Sequence, residues 1–201
     1  MDQPFDTNGA SWLVKLGRRL FPYRGFVGLP FLILCLLLAR PVPPNAALLG
    51  LGWGLMLAGL ATRIWGVAGW YAPGATQQTQ GLITNRGPYI YSRNPRYVGN
   101  LAMGLGLCAI AHLPYLWLPF FCLWGSIHIP VIHAEEAVLL RRYGNDFQDY
   151  LNSVARFWGP AGRSAQGTIS GRQWLAAIGA ERQTWAGWIM LASCLSWWRF
   201  H

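Results

Sequence analysis

Between Asp6 and Glu135 the chain contains no aspartate or glutamate, and four apolar stretches lie inside that interval. They are FVGLPFLILCLLLA (26–39), AALLGLGWGLMLAGLA (46–61), VGNLAMGLGLCAIAH (98–112) and YLWLPFFCLWGSIHIPVI (115–132). A water-soluble domain carries about a quarter of its residues as charges, whereas here the charged share is 11% and the hydrophobic share 53%. Each stretch is near or somewhat below the ~20 residues that a helix needs to cross the hydrocarbon core. The first and third are short, and must borrow flanking residues or sit in a thinned bilayer. The expected fold is therefore an all-α, polytopic membrane bundle of four transmembrane helices in a single domain, 1–201.

Within that domain, 1–68 reads as an N-terminal segment and first helical hairpin, 69–160 as a core with a long loop, and 161–201 as a linker and Trp-rich helix. The linker is GPAGRSAQGTISGR (159–172). Residues 184–198 are apolar but short, and fit either an interfacial helix or a fifth membrane segment. Twelve tryptophans suit a chain that meets membrane interfaces.

The cations set an orientation. Lys15, Arg18, Arg19 and Arg24 precede the first stretch; Arg86, Arg93 and Arg96 lie between the second and third; Arg141, Arg142, Arg156 and Arg163 follow the fourth. The alternate connections hold only Arg40 and no cation, respectively. By the positive-inside rule the N-terminus, the loop 71–97 and the C-terminal region are cytoplasmic, at the inner membrane if the cell is bacterial.

A net charge of +9 raises the question of nucleic acid. The cations are dispersed rather than striped, so no nucleic-acid partner is expected. Cys35, Cys108, Cys122 and Cys194 all fall in apolar segments without CxxC spacing, and read as small buried hydrophobes. His128 and His133 are five apart, not the four that places two ligands on one helix face, and no metal is expected. The opening MDQPFDTNGASW has two acids and no basic region ahead of a cleavage site, so no signal peptide is expected. The glycines of GLGWG (50–54) and MGLGL (103–107) read as close-packing positions between membrane helices.

Two stretches carry chemistry. In GLITNRGPYIYSRNPRYVGN (81–100), glycine, proline and asparagine set a defined backbone, and Pro95 holds Asn94 out of helix so that Arg93 and Asn94 present from a fixed turn. In IPVIHAEEAVLLRRYG (129–144), Glu135 and Glu136 stand at the edge of an apolar run with no cation three or four residues away, so no local ion pair neutralises them. Their partners must be tertiary or a ligand, and Arg63, Arg93 and Arg156 are the candidates. Ionisable groups at membrane depth point to a functional site.

With LATRIWGVAGW and HAEEAVLLRRYGNDFQDYLNSVARFWGP, these stretches resemble the isoprenylcysteine carboxyl methyltransferase and phospholipid methyltransferase superfamily, over about residues 60–160. The resemblance implies an integral membrane enzyme that uses S-adenosylmethionine to methylate a lipid or small hydrophobic acceptor. It implies cofactor-binding roles for Gly87, Tyr89, Arg93, Asn94, Tyr97, Glu135, Glu136, Tyr143, Tyr150 and Arg156, with Arg93 and Glu136 as the catalytic pair. Carboxylates suit the cofactor's ribose hydroxyls and ammonium, and Arg93 or Arg156 its carboxylate. Asn94 stands where the family commonly has histidine; asparagine does not titrate, so no general base is expected there. NADPH-dependent sterol reductases share the Arg-x-Pro loop and Tyr-Gly tail, but are longer and carry an Arg-Asp pair in place of the glutamates. A non-catalytic scaffold with a degenerate site is the other alternative, and Asn94 is what favours it.

Overall fold

The computed structural model describes residues 11–24, 28–38, 43, 45–70, 86–165 and 167–200. The readings placed on residues 1–10, on Arg40 and on 71–85 of the long loop lie outside them. Among the described residues all regular structure is helical: α1 (Trp12–Leu20), α2 (Gly28–Leu38), α3 (Ala46–Trp70), α4 (Pro95–Ile110), α5 (Trp117–Ser153), α6 (Gly171–Ala180) and α7 (Arg182–Phe200). Short 3-10 turns occupy Phe21–Tyr23, Gly87–Ile90 and Pro114–Leu116.

Two runs, Ala46–Trp70 and Pro114–Ser153, are long and apolar enough to cross a membrane. Helix α2 has 11 residues and α4 has 16. At 1.5 Å per residue these reach roughly 16 and 24 Å, short of a ~30 Å hydrocarbon core.

The frame of the molecule is the pair α3–α4. A Cβ on Gly59 would meet the carbonyl oxygen of Gly99 at 2.6 Å, and one on Gly99 would meet that of Gly59 at 2.6 Å. Seven residues away on each helix the arrangement repeats, Gly52 against Gly106 at 2.8 Å and Gly106 against Gly52 at 2.7 Å. The helices therefore run antiparallel with their backbones in contact, as small residues allow where lipid gives no hydrophobic drive to associate. Gly104 also serves packing, since a side chain there would strike the ring of Phe120. Met56, Met103 and Leu107 fill the seam, with Phe31 of α2, Trp124 of α5 and Ala192 and Leu195 of α7 closing the core.

Helix α1 lies against α5, where Gly17 meets the backbone of Pro130 and Val131. Helix α5 is interrupted at Gly144, whose φ of 54° and ψ of −128° only glycine adopts freely. The rod from Trp117 therefore ends there, and a capping segment, 145–153, turns away from it. Helix α6 starts with a capping box between Ser170 and Gln173.

One reading changes. Cys35 and Cys108 are buried, but Cys122 and Cys194 are exposed, because an outward face among apolar neighbours suits a thiol as well as a core does. The C-terminal helix runs 19 residues from Arg182 to Phe200, longer than the apolar run 184–198, and its Ala192 and Leu195 join the core.

Candidate functional site

A cavity of about 1100 Å³ lies among the end of α3, the start of α4, the distal half of α5 and the α6–α7 junction, with Arg18 and Arg24 on its wall. Its residues divide into two acidic clusters and an aromatic, cationic lining.

The first cluster grows from the turn before α4. Gly87 sits at φ 57°, and a Cβ there would come within 2.9 Å of the Trp65 indole nitrogen, so this glycine fixes the turn rather than the cavity wall. The segment after α5, which leaves the helix at an extended Val154, runs beside that turn. Arg93 N–H donates to Ala155 O at 2.9 Å, Gly159 N–H to Tyr91 O at 3.0 Å and Gly162 N–H to Ile90 O at 2.9 Å. Side chains tighten the same seam: Tyr150 Oη donates to Tyr89 O at 2.9 Å, Arg93 Nη1 to Leu151 O at 2.8 Å and Asn94 Nδ2 to Arg156 O at 3.0 Å. Asn94 thus holds two strands of chain together, a task that needs no titratable group.

Glu136 joins that seam to α5. Arg156 donates to it through Nη2 at 2.8 Å and Nε at 3.4 Å, and Arg93 Nε approaches at 3.3 Å. Arg156 also donates to His133 Nε2 at 3.0 Å. Burial pushes the Arg93 guanidinium down from its ordinary pKa; Glu136 opposes this and Arg156 adds to it. Glu135, the adjacent acid, takes a different partner: Tyr97 Oη donates to it at 3.1 Å. Tyr89 lines the same cavity, its phenol raised to about 12 by burial.

The second cluster was not anticipated. Arg63 donates to Glu181 through Nη2 at 2.7 Å and 2.9 Å and through Nε at 3.1 Å, and its Nη1 bonds Asn100 Oδ1. Arg96 Nη2 reaches the same carboxylate at 3.4 Å. Arg63 is therefore not a partner of the glutamate pair, as the sequence suggested. It follows Gly59 by one turn, its stem lies on Gly99, and its head meets the α6–α7 junction. Burial alone would raise the Glu181 carboxyl, but the charge and hydrogen bonds of Arg63, with Thr184 and Arg96, outweigh it and hold the pKa below the usual range.

Of the residues singled out from the sequence, Tyr89, Arg93, Asn94 and Tyr97 line the cavity, as do Glu135, Glu136 and Tyr150. Arg156 touches it through Glu136. Tyr143 does not: it packs with Phe147, Tyr150 and Val154, its hydroxyl buried without a hydrogen bond. Among the described residues no three histidine, cysteine or acidic side chains form a metal-binding group. Sequence reading missed Arg24, Arg96, Asn100 and Glu181. The signal for Glu181 was available, since it is the single acid after Asp149 in a chain with seven.

The model of one family, phospholipid methyltransferase, matches residues 45–146. The chain belongs to the phospholipid methyltransferase family. The matched region of this family member carries the α3–α4 frame, the turn of Arg93 and Asn94, and both glutamates of α5; Arg156 and Glu181 lie beyond it. With its two long apolar helices, this methyltransferase-family chain is a membrane protein. Neither a curated protein nor a solved structure matches it significantly.

Proposed function

We propose that the chain is a membrane-embedded methyltransferase that moves a methyl group from S-adenosylmethionine to a lipid or small hydrophobic acceptor. The observation that carries this reading is the seam of 87–97 on Glu135 and Glu136 around one large cavity, in a member of this family. The donor set suits the cofactor. Glu135 accepts from a phenol and, among the described residues, forms no ion pair with an arginine, so it offers a carboxylate to an ammonium or to ribose hydroxyls. Tyr89, Tyr97 and Trp70 offer aromatic surface to a purine. The volume, about 1100 Å³, lies just above the roughly 300–1000 Å³ typical of small-molecule sites, which leaves room for an acceptor beside the cofactor.

The cofactor supplies a methyl already activated on a sulfonium. The protein's part is then alignment and exclusion of water, and a dedicated base at position 94 is dispensable. Glu136, gripped by Arg93 and Arg156, holds the turn at its working distance from α5. In the proposed topology four segments cross the membrane, with α2 and α4 extended by flanking residues or met by a thinned bilayer. The N-terminus, the loop 71–97 and the C-terminal region face the cytoplasm. The cofactor enters from that side and the acceptor laterally from the bilayer.

Calorimetry tests the reading. The purified chain is expected to bind S-adenosylhomocysteine, and Glu135→Ala to lose most of that affinity. A wild-type chain that binds none in a folded state rules the reading out. Lipid mass spectrometry of cells with and without the protein then identifies the acceptor by a gain of one CH₂.

A further inference from the structure

The guanidinium groups on and around the cavity are not equivalent. Arg93 and Arg156 both grip Glu136. Arg63 directs Nε, Nη1 and Nη2 to Glu181 and Asn100. Arg96 is different. Its side chain is 54% exposed, it lines the cavity, and its ion pair is one contact of 3.4 Å through Nη2 to Glu181. Its stem lies over Gly66, where a Cβ would come within 3.2 Å of Arg96 Cγ, so α3 supplies a groove that directs the side chain. Among the described residues its Nε and Nη1 make no hydrogen bond, and, unlike the buried Nε of Arg93, they stand on a half-exposed side chain that a ligand can reach.

We infer that Arg96 is the anchor for an anionic group of the bound ligand, and that Glu181 is the residue that positions it. The inference rests on the proposed function, and names the residue in that site which takes a negative charge. The chemistry is that of a carboxylate or phosphate oxygen accepting from a planar, permanently charged fork. Two sources supply such a group, the carboxylate of the cofactor and the phosphate of a lipid headgroup. Glu181 belongs to the C-terminal segment, outside the part of the chain that matches the family. Its Oε1 accepts from both Arg96 and Arg63, so one carboxylate offsets the repulsion between the two cations. Arg24 lines the cavity too, but its guanidinium donates to Phe21 O at 2.8 Å and stacks 3.6 Å over the Phe21 ring.

The full-length chain in detergent, with Arg96→Ala and Glu181→Gln, is titrated with three probes. These are S-adenosylhomocysteine, its decarboxylated analogue, and dihexanoyl phosphatidic acid. Loss of a charge-assisted hydrogen bond is expected to weaken binding on the order of tenfold or more. If the anion is the cofactor's, Arg96→Ala weakens S-adenosylhomocysteine and leaves the decarboxylated analogue unchanged. If it is a lipid phosphate, Arg96→Ala weakens the phosphatidic acid and leaves both nucleosides unchanged. Either result supports the inference, and Glu181→Gln is expected to repeat the pattern more weakly. Unchanged affinity for all three probes in Arg96→Ala overturns it, and because that side chain is half exposed the variant is expected to fold. Equal weakening of the nucleoside with and without its carboxylate also overturns it. A wild-type chain that binds no nucleoside at all fails at the proposed function instead.

Discussion

Two buried glutamates on the cavity wall are each gripped by two arginines, yet the grips are assembled over different distances along the chain. Glu136 takes Arg93 and Arg156, the latter 20 residues away. Glu181 takes Arg63 and Arg96, with 118 residues between Arg63 and its acid. The first grip closes a unit whose backbone is already stitched by the hydrogen bonds of the 87–94 turn. The second is the charged tie between the C-terminal helices and the α3–α4 frame, added to the apolar packing of α7, and among the described residues no comparable backbone seam stands behind it. A charge cluster of one kind thus serves to hold a turn in one place and to fasten a whole segment in the other.

The largest effect that can break this comparison is Glu181→Ala. It strands Arg63 with no counter-charge, and removing one partner of a buried pair costs about 3–5 kcal/mol. Unfolding in detergent measures it, and the exchange Arg63→Glu with Glu181→Arg is expected to recover part of the loss. A change under about 1 kcal/mol, the value of an exposed pair, removes the distinction. Next comes Glu136→Ala, expected to cost on the order of 2 kcal/mol, because Arg156 is a third exposed and Arg93 keeps its bonds to Leu151 and Ala155. Here the loss of S-adenosylhomocysteine affinity should exceed the loss of stability.

Acid sharpens the contrast. The Glu181 carboxyl is held below its usual pKa in the folded chain, so it binds fewer protons folded than unfolded near its titration. Its stabilisation is complete above the unfolded carboxylate value, about 4.3, and is lost as pH falls through the lowered folded value. Wild type and Glu181→Gln are therefore expected to differ in stability at pH 7, and the gap is expected to narrow as pH falls below about 4.3 and to close once the folded carboxyl is protonated. A constant gap across that range contradicts the assignment. The smallest effect is Tyr97→Phe, which removes one hydrogen bond from Glu135 and is expected to cost about 1 kcal/mol without loosening either grip.

Much of the first cluster was legible in the sequence and little of the second. Glu135 and Glu136 were conspicuous because no cation stood at helical spacing, which forced tertiary partners, and Arg93 and Arg156 were named among them. Pro95 fixed where α4 begins. Arg63 was visible as a charge in an apolar run, but its partner depended on how α3 and α4 meet. That is decided by carbonyl contacts at Gly59 and Gly99, and hydrophobic periodicity carries no record of which glycine touches which. Tyr143 was carried over by motif, and a motif does not say which way a ring turns after the break at Gly144. Helix α7 begins ahead of the apolar run 184–198 because helical hydrogen bonding takes in the polar Arg182 and Gln183, which hydropathy alone does not mark.

The doubled glycine contact between α3 and α4 has a mechanical result. With backbone resting on backbone at two levels, neither helix can slide or roll past its neighbour without collision. Any change in the width of the chamber is then left to the elements that line it from outside the α3–α4 pair, which itself acts as a fixed wall.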